Sequence, residues 1–245
     1  MPPSFAIQGR LTHYAGRFVS VVKYVFCGDY TPEIRRMDYD DYWKVKGDFT
    51  HSPRYDIFAG LIDRGASVLD IGCGNGANLR HLAASREVQG EGLDVSEVAV
   101  ARAREAGVKA RVADASSPAF VLDRKYDYII ISEVLEHISN PEDLIEKVRG
   151  NFTKGLILSL PNIGHYMFRL RLLFGHFPIQ WAYHPAEHLR FWTISDFKLW
   201  LGRLGLETAV FNPHSGFPLL HSLWPNLFCD SAVFLVREKS PGERK

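Results

Sequence analysis

The rhythm of hydrophobic and polar positions becomes regular from residue 67 onward. Ser67–Ile71 and Val88–Asp94 are short β-favouring runs bounded by turn residues. Tyr126–Ser132, with Ile129, Ile130 and Ile131 in succession, is a continuous apolar run of the kind buried on both faces of a sheet. Val108–Ala113 and Gly155–Leu160 complete this set of predicted strands. Helical spacing fills the gaps: Gly76–Ala84, then Val98–Ala106, rich in Ala, Arg and Glu, then Glu142–Val148. Pro141 opens the last of these, at a position where a missing N–H costs nothing. A further helix at about 55–64 precedes the first strand. Strands alternating with helices imply a parallel sheet with right-handed crossovers.

Both ends of the chain break this alternation. Thr193–Leu204 reads as a helix. Leu206–Asn212 and Ser231–Arg237 read as two strands separated by a Pro- and aromatic-rich loop, and such a pair can add an antiparallel edge. Residues 161–192 form an irregular insertion carrying His165, His176, His184 and His188. Residues 1–40 form an aromatic-rich N-terminal helical extension or lid, and 41–240 the main domain. Within the extension, Phe18–Phe26 has an amphipathic pattern, too short to cross a bilayer and interrupted by Lys23. It reads as a helix packed on the domain, a lid, or a membrane-surface contact. No transmembrane segment or signal peptide is expected.

Composition changes this picture little. With 46% hydrophobic residues, 23% charged residues and a net charge of +1, the chain is an ordinary folded protein without the electrostatic footprint of a nucleic-acid binder. Cys27, Cys73 and Cys229 are odd in number and far apart, which points to a reducing, cytoplasmic compartment rather than a disulfide framework.

The chemistry concentrates at Val68–Gly76, where a strand runs into Gly72, Gly74 and Gly76. A glycine turn between strand and helix lets a nucleotide-like ligand approach the backbone, and Gly72-x-Gly74-x-x-Ala77 alone also passes as a dinucleotide fingerprint. The acids beside it discriminate. Asp70 can meet an ammonium, Asp94 can accept ribose hydroxyls, Asp114 can accept from an adenine amino group, and Glu133 follows the Tyr126–Ser132 strand. All four fall at carboxyl ends of successive strands. A ligand with an ammonium, a ribose and an adenine but no phosphate fits S-adenosylmethionine better than NAD.

Val68–Gly76, Gly92–Ser96, Ala113–Ala115 and Tyr126–Asn140 resemble the successive motifs of class I S-adenosylmethionine-dependent methyltransferases. Leu158–His165, Arg169–Gly175 and the stretch from His188 to Phe197 are similar to the MetW-like or methyltransferase type 11 group. The N-terminus, the segment from Pro185 to His188 and the C-terminal loop depart from that group. The likeness implies a Rossmann-like, doubly wound, mostly parallel seven-stranded sheet with an antiparallel C-terminal strand. It implies a cofactor site of Asp70, Gly72, Cys73, Gly74, Asn75 and Gly76, with Asp94 and Val95 at the ribose, Asp114 and Ala115 at the adenine, and Glu133 and Val134 toward the methionine. Tyr42 with Trp43 closes over the cofactor or packs in the core. Cys73 reads as a small space-filler rather than a nucleophile.

A sulfonium methyl is already an activated electrophile, so alignment dominates and a general base is needed only for a hydroxyl or protonated-amine acceptor. His137 and His188 are the candidate bases; the alternatives are a loop hydrogen bond for His137 and a capping or packing role for His188. Glu187, Tyr166 and Arg190 are weaker candidates for substrate contacts. The histidines at 165, 176, 184 and 188 match no compact metal site, so none is expected. The expected function is methyl transfer to an O or N acceptor on a small molecule or glycan-linked substrate. The alternatives are a non-catalytic partner of a biosynthetic enzyme and an NAD-dependent dehydrogenase.

Overall fold

The computed structural model describes residues 25–26, 33–47, 51–180, 183–217 and 219–239. The helix expected over Phe18–Phe26 lies outside the described residues except for Val25 and Phe26, which are helical. Seven strands form one sheet: β1 (Ser67–Ile71), β2 (Gln89–Asp94), β3 (Ala110–Val112), β4 (Tyr126–Ser132), β5 (Phe152–Pro161), β6 (Leu206–Gly216) and β7 (Cys229–Glu238). Their order is β3-β2-β1-β4-β5-β7-β6. Pairings among β1 to β5 are parallel, and β7 runs antiparallel to both β5 and β6. This is the expected mostly parallel sheet, with the reversed strand placed between β5 and the edge strand.

The apolar run of β4 explains why the sheet is covered on both faces. Ile129 and Ile131 join a core with Leu144, Ile145, Phe197 and Leu201. Tyr128 and Ile130 join the opposite core with Phe58, Leu79, Leu82 and Val100. Successive side chains of a strand point to opposite faces, so a strand between two helical layers must be apolar at every position. Each fully buried aliphatic side chain contributes roughly 1.5–3 kcal/mol.

Helix boundaries follow local capping. Helix α1 (Tyr39–Val45) starts at Asp38, whose Oδ1 accepts from the N–H groups of Asp40 and Asp41 at 3.0 Å. It straddles residue 40, the boundary expected between extension and domain. Helix α2 (Pro53–Leu61) has Pro at its first turn, α3 (Ala77–Arg86) begins at left-handed Gly76, and α4 (Glu97–Glu105) is capped by Ser96, whose Oγ accepts from Ala99 N–H. Helix α5 (Pro141–Val148) starts at Pro141 as expected.

Two segments are more ordered than their sequence implies. Within the insertion, α6 (Tyr166–Leu173) is a helix with fully buried Arg171, whose Nε donates to the Phe177 carbonyl at 2.9 Å. Arginines interrupting an apolar run erase the amphipathic stripe that would have marked it. At the C-terminal end, β6 continues through Pro213 to Gly216, beyond the expected Asn212. An edge strand tolerates a proline because one side of its backbone needs no partner. Helix α7 (Ile194–Arg203) is capped by Thr193, and the short helices α8 (Leu220–Leu223) and α9 (Pro225–Phe228) occupy part of the expected loop.

Candidate active site

The carboxyl ends of β1, β2 and β4, the stretch after β3, and helix α1 enclose a cavity of about 660 Å³. Asp70, Asp94, Asp114 and Glu133 all line it, so the acids spaced along the chain meet in one place. Open α/β sheets place ligands at this edge because crossover loops diverge there.

Asp70 sits near the end of β1 and is 2% exposed. Asn78 Nδ2 donates to its Oδ2 at 2.9 Å, and burial pushes the carboxyl up to about 7. Asp94 ends β2 and braces the glycine turn. Its Oδ2 accepts from Gly74 N–H at 2.8 Å and its Oδ1 from Ser96 N–H at 2.9 Å. Gly72 and Cys73 N–H groups donate to the Leu93 carbonyl at 2.7 and 2.9 Å. Burial raises the Asp94 carboxyl against these hydrogen bonds, which lower it. Asp114 holds Ser116 through Oδ1, accepting from its N–H at 2.9 Å and its Oγ at 2.6 Å.

The turn needs its glycines. Gly72 and Gly74 have φ of 78° and 55°, in the left-handed region. A Cβ on Gly74 would lie 2.5 Å from Cζ2 of Trp43, and one on Gly72 would strike Val134. Trp43 is thus packed on the turn. Tyr42 lines the cavity beside it and accepts a hydrogen bond from Lys46 Nζ at 2.7 Å. Cys73, Asn75, Val95, Ala115 and Val134 also line the cavity. Burial raises the Cys73 thiol strongly, consistent with an inert space-filler. Gly76 is not among the lining residues. It faces Val108 and Ala103 under the turn, where it supports the wall rather than forming it.

Residues that sequence reasoning missed complete the site. Arg54, at the start of α2, pairs with Glu133 Oε1 at 2.9 Å and reaches Ser159 Oγ at 3.4 Å. Glu133 itself has φ 55° and accepts from Ser159 Oγ at 3.0 Å. Helix α1 is tied over the cavity by Asp40, whose Oδ1 accepts from Ser96 Oγ at 2.6 Å. Burial pushes Lys46 down to about 8. Glu136 is 1% exposed, lines the cavity, and has no hydrogen-bond partner at either carboxylate oxygen. Burial, and then the charge of Glu133, hold its carboxyl well above the ordinary range. Its spacing from Glu133 by one helical turn and its contiguity with His137 were the available signal.

His137 and His188 both line the cavity, with ring centroids 4.8 Å apart and nearly perpendicular. His137 Nδ1–H donates to the Glu187 carbonyl at 2.5 Å, rather than to the loop at Asn140–Pro141. Burial lowers the proton affinity of both rings, His188 down to about 3 with help from His137. The imidazoles are therefore neutral near pH 7, and His188 is a weak proton acceptor. Glu187 lines the cavity, and its Oε1 accepts from the N–H groups of Tyr183 and His184 at 2.6 and 2.8 Å. Tyr166 is not among the lining residues and packs on Phe228. Arg190 is spent on Glu142 at 2.7 Å.

Among solved structures, the chain resembles magnesium protoporphyrin IX methyltransferase from Synechocystis PCC 6803 with bound SAH, at 19% identity and a TM-score of 0.57, covering 91% of this chain and all of that one (100%). A putative methyltransferase in complex with the Trm112 methyltransferase activator of Haloferax volcanii matches at 13% identity and a TM-score of 0.57, over 84% of this chain and 99% of that chain. An S-adenosylmethionine-dependent methyltransferase from Mesorhizobium loti matches at 18% identity and a TM-score of 0.55, over 76% of this chain and 98% of that chain. The fold is that of the class I S-adenosylmethionine-dependent methyltransferases. Within that class the family is set by sequence: the model of methionine biosynthesis protein MetW matches residues 53–236, and the chain belongs to the MetW family. A curated relative, the bifunctional methionine biosynthesis protein MetXA/MetW of Rhodopirellula baltica, is 26% identical over 234 residues, covering 86% of this chain. The chain spans 37% of that relative's length. No helix among the described residues is long and apolar enough to cross a membrane.

Proposed function

We propose that this chain binds S-adenosylmethionine in the acid-lined cavity and transfers its methyl group to an O or N acceptor on a small molecule or glycan-linked substrate. The observation that carries this reading is the convergence of Asp70, Asp94 and Asp114 on one cavity beside a glycine turn. Beside those aspartates the lining holds Glu133 and Glu187 against Lys46 and Arg54, an excess of acids suited to a cationic ligand and adverse to a pyrophosphate. That excess argues against the dehydrogenase alternative.

When bound, the sulfonium would supply an electrophilic methyl carbon to the acceptor lone pair, with the carbon–sulfur electrons returning to sulfur and the acceptor's proton leaving to solvent. The chain's own contribution is alignment. Asp70 would receive the ammonium, Asp94 the ribose hydroxyls without releasing Gly74, and Asp114 with Ala115 the adenine. Trp43 and Tyr42 exclude water from above. The acceptor's reacting atom would face the end of the cavity formed by Glu136, His137 and His188.

A titration of the folded protein with S-adenosylmethionine and S-adenosylhomocysteine tests the reading. Micromolar binding of both is expected, and the absence of heat and of a thermal shift with either refutes it. A second reading is that the chain serves as a partner of a biosynthetic enzyme, favoured by the relative that carries MetXA and MetW names in one chain. Stoichiometric co-purification with a MetXA protein, with no deuterated product from labelled methyl donor in cell extract, selects that reading.

A further inference from the structure

We propose that Glu136, His137 and His188 form a binding site for one divalent cation at the acceptor end of the cavity. One ligand atom from each lies within 4.8 Å of the others, and Glu136 Oε1 is 3.9 Å from His137 Nε2. A cation with bonds of about 2.1 Å holds neighbouring ligand atoms roughly 3–3.4 Å apart, so the three groups close on it by side-chain shifts on the order of 1 Å. Two imidazoles and one carboxylate suit a first-row divalent metal and leave positions open for other ligands.

Three further observations single out this cluster. The Glu136 carboxyl group is buried, lines the cavity, and has both oxygens without a partner, an arrangement that costs free energy whether the group is charged or neutral. His188 Nδ1 is likewise buried without a partner. His137 Nδ1–H donates to the Glu187 carbonyl, which fixes the tautomer and presents the Nε2 lone pair toward Glu136. A ligating histidine ordinarily has its other nitrogen held in this way. Backbone bonds lock the arrangement: Leu189 and Arg190 N–H groups donate to the Glu136 carbonyl at 2.7 and 3.0 Å, pinning the His188 segment to the Leu135–His137 turn.

The cation would have a task in the reaction. It would bind an acceptor through oxygen and lower the proton affinity of its hydroxyl, which would release its proton to bulk water, so that the oxygen could attack the methyl carbon without a strong base. That narrows the acceptor to an oxygen nucleophile, preferably one with a second oxygen beside it. This use rests on the methyl-transfer reading; the existence of the site does not.

The full chain, stripped with a chelator, would be titrated calorimetrically with Mn²⁺, Co²⁺ and Zn²⁺ separately. One equivalent is expected to bind, with Glu136→Gln and His188→Ala each weakening binding by at least about tenfold and His184→Ala leaving it unchanged. Failure of the wild-type chain to bind any of the three, or unaltered affinity in both ligand variants, overturns the proposal. Should those variants fail to fold by circular dichroism, pulsed electron paramagnetic resonance of Mn²⁺ on the wild type decides: imidazole nitrogen couplings support the site and their absence rejects it. S-adenosylhomocysteine binding is measured on the same samples. Cation binding without it keeps the site and discards methyl transfer, and the converse does the reverse.

Discussion

Replacing Asp70 by Asn removes one charge from the floor of the cavity and leaves its shape and its Asn78 contact in place. The carboxyl titrates at about 7 because it is buried, whereas the ordinary value is 3.8. Only the ionised form pairs with a ligand ammonium, so wild-type affinity for S-adenosylhomocysteine should fall about tenfold from pH 8 to pH 6. A hydrogen bond to a charged group contributes about 1.5–3 kcal/mol, so Asp70→Asn should raise Kd by roughly 10- to 150-fold at pH 8. Its affinity should also lose the pH dependence.

Stability moves the other way. Between about pH 4 and 7 the empty native chain holds a proton at Asp70 that the unfolded chain has released. Stability from this group is therefore lost as pH rises across that window, by up to about 4 kcal/mol above pH 7. Without ligand, Asp70→Asn should melt higher than wild type at pH 8 and similarly at pH 4. Calorimetric titration across pH, with melting curves on the same samples, checks both halves. Wild-type affinity with an unchanged pH profile in Asp70→Asn refutes the assignment of the ammonium to this residue.

Gly74→Ala places a Cβ against the Trp43 ring in a left-handed backbone, and should destabilise by about 1–3 kcal/mol in chemical denaturation, with partial recovery on adding Trp43→Leu. No recovery would mean that backbone strain alone accounts for the loss. Asp94→Asn turns an amide toward either Gly74 or Ser96 N–H, leaving one buried donor unsatisfied at a cost of about 1–3 kcal/mol. Both melting temperature and S-adenosylhomocysteine affinity should drop; a fall in affinity alone would show that Asp94 does not brace the turn.

How much of this molecule was legible varies with the range of the interactions that set each part. The alternation of β1 to β5 with helices was readable because burial on two faces demands apolar residues at consecutive strand positions, as at Ile129–Ile131. The glycine turn and the acids at 70, 94, 114 and 133 were readable because strand ends in a parallel sheet share one edge. Helix α6 was hidden because Arg171 finds its partner at the Phe177 carbonyl, a bond with no trace in periodicity. Strand β6 runs past the predicted end at Asn212 because a proline ends a central strand but not an edge strand, and edge position is a property of the whole sheet.

The fold class, the family motifs and the acids around the glycine turn can be read from the chain alone, since they follow from local periodicity and from a topology with few alternatives. Where the histidines meet depends instead on contacts between segments far apart in the chain. Counted along the chain, those from 165 to 188 formed no site, and Glu136 was one acid in a motif. Folding carries the His188 segment onto the turn at 135–137, and backbone bonds to the Glu136 carbonyl hold it there. A carboxylate and two imidazoles from distant segments then face one cavity, because ligand sets form in space and chain spacing predicts them only where one element supplies them all.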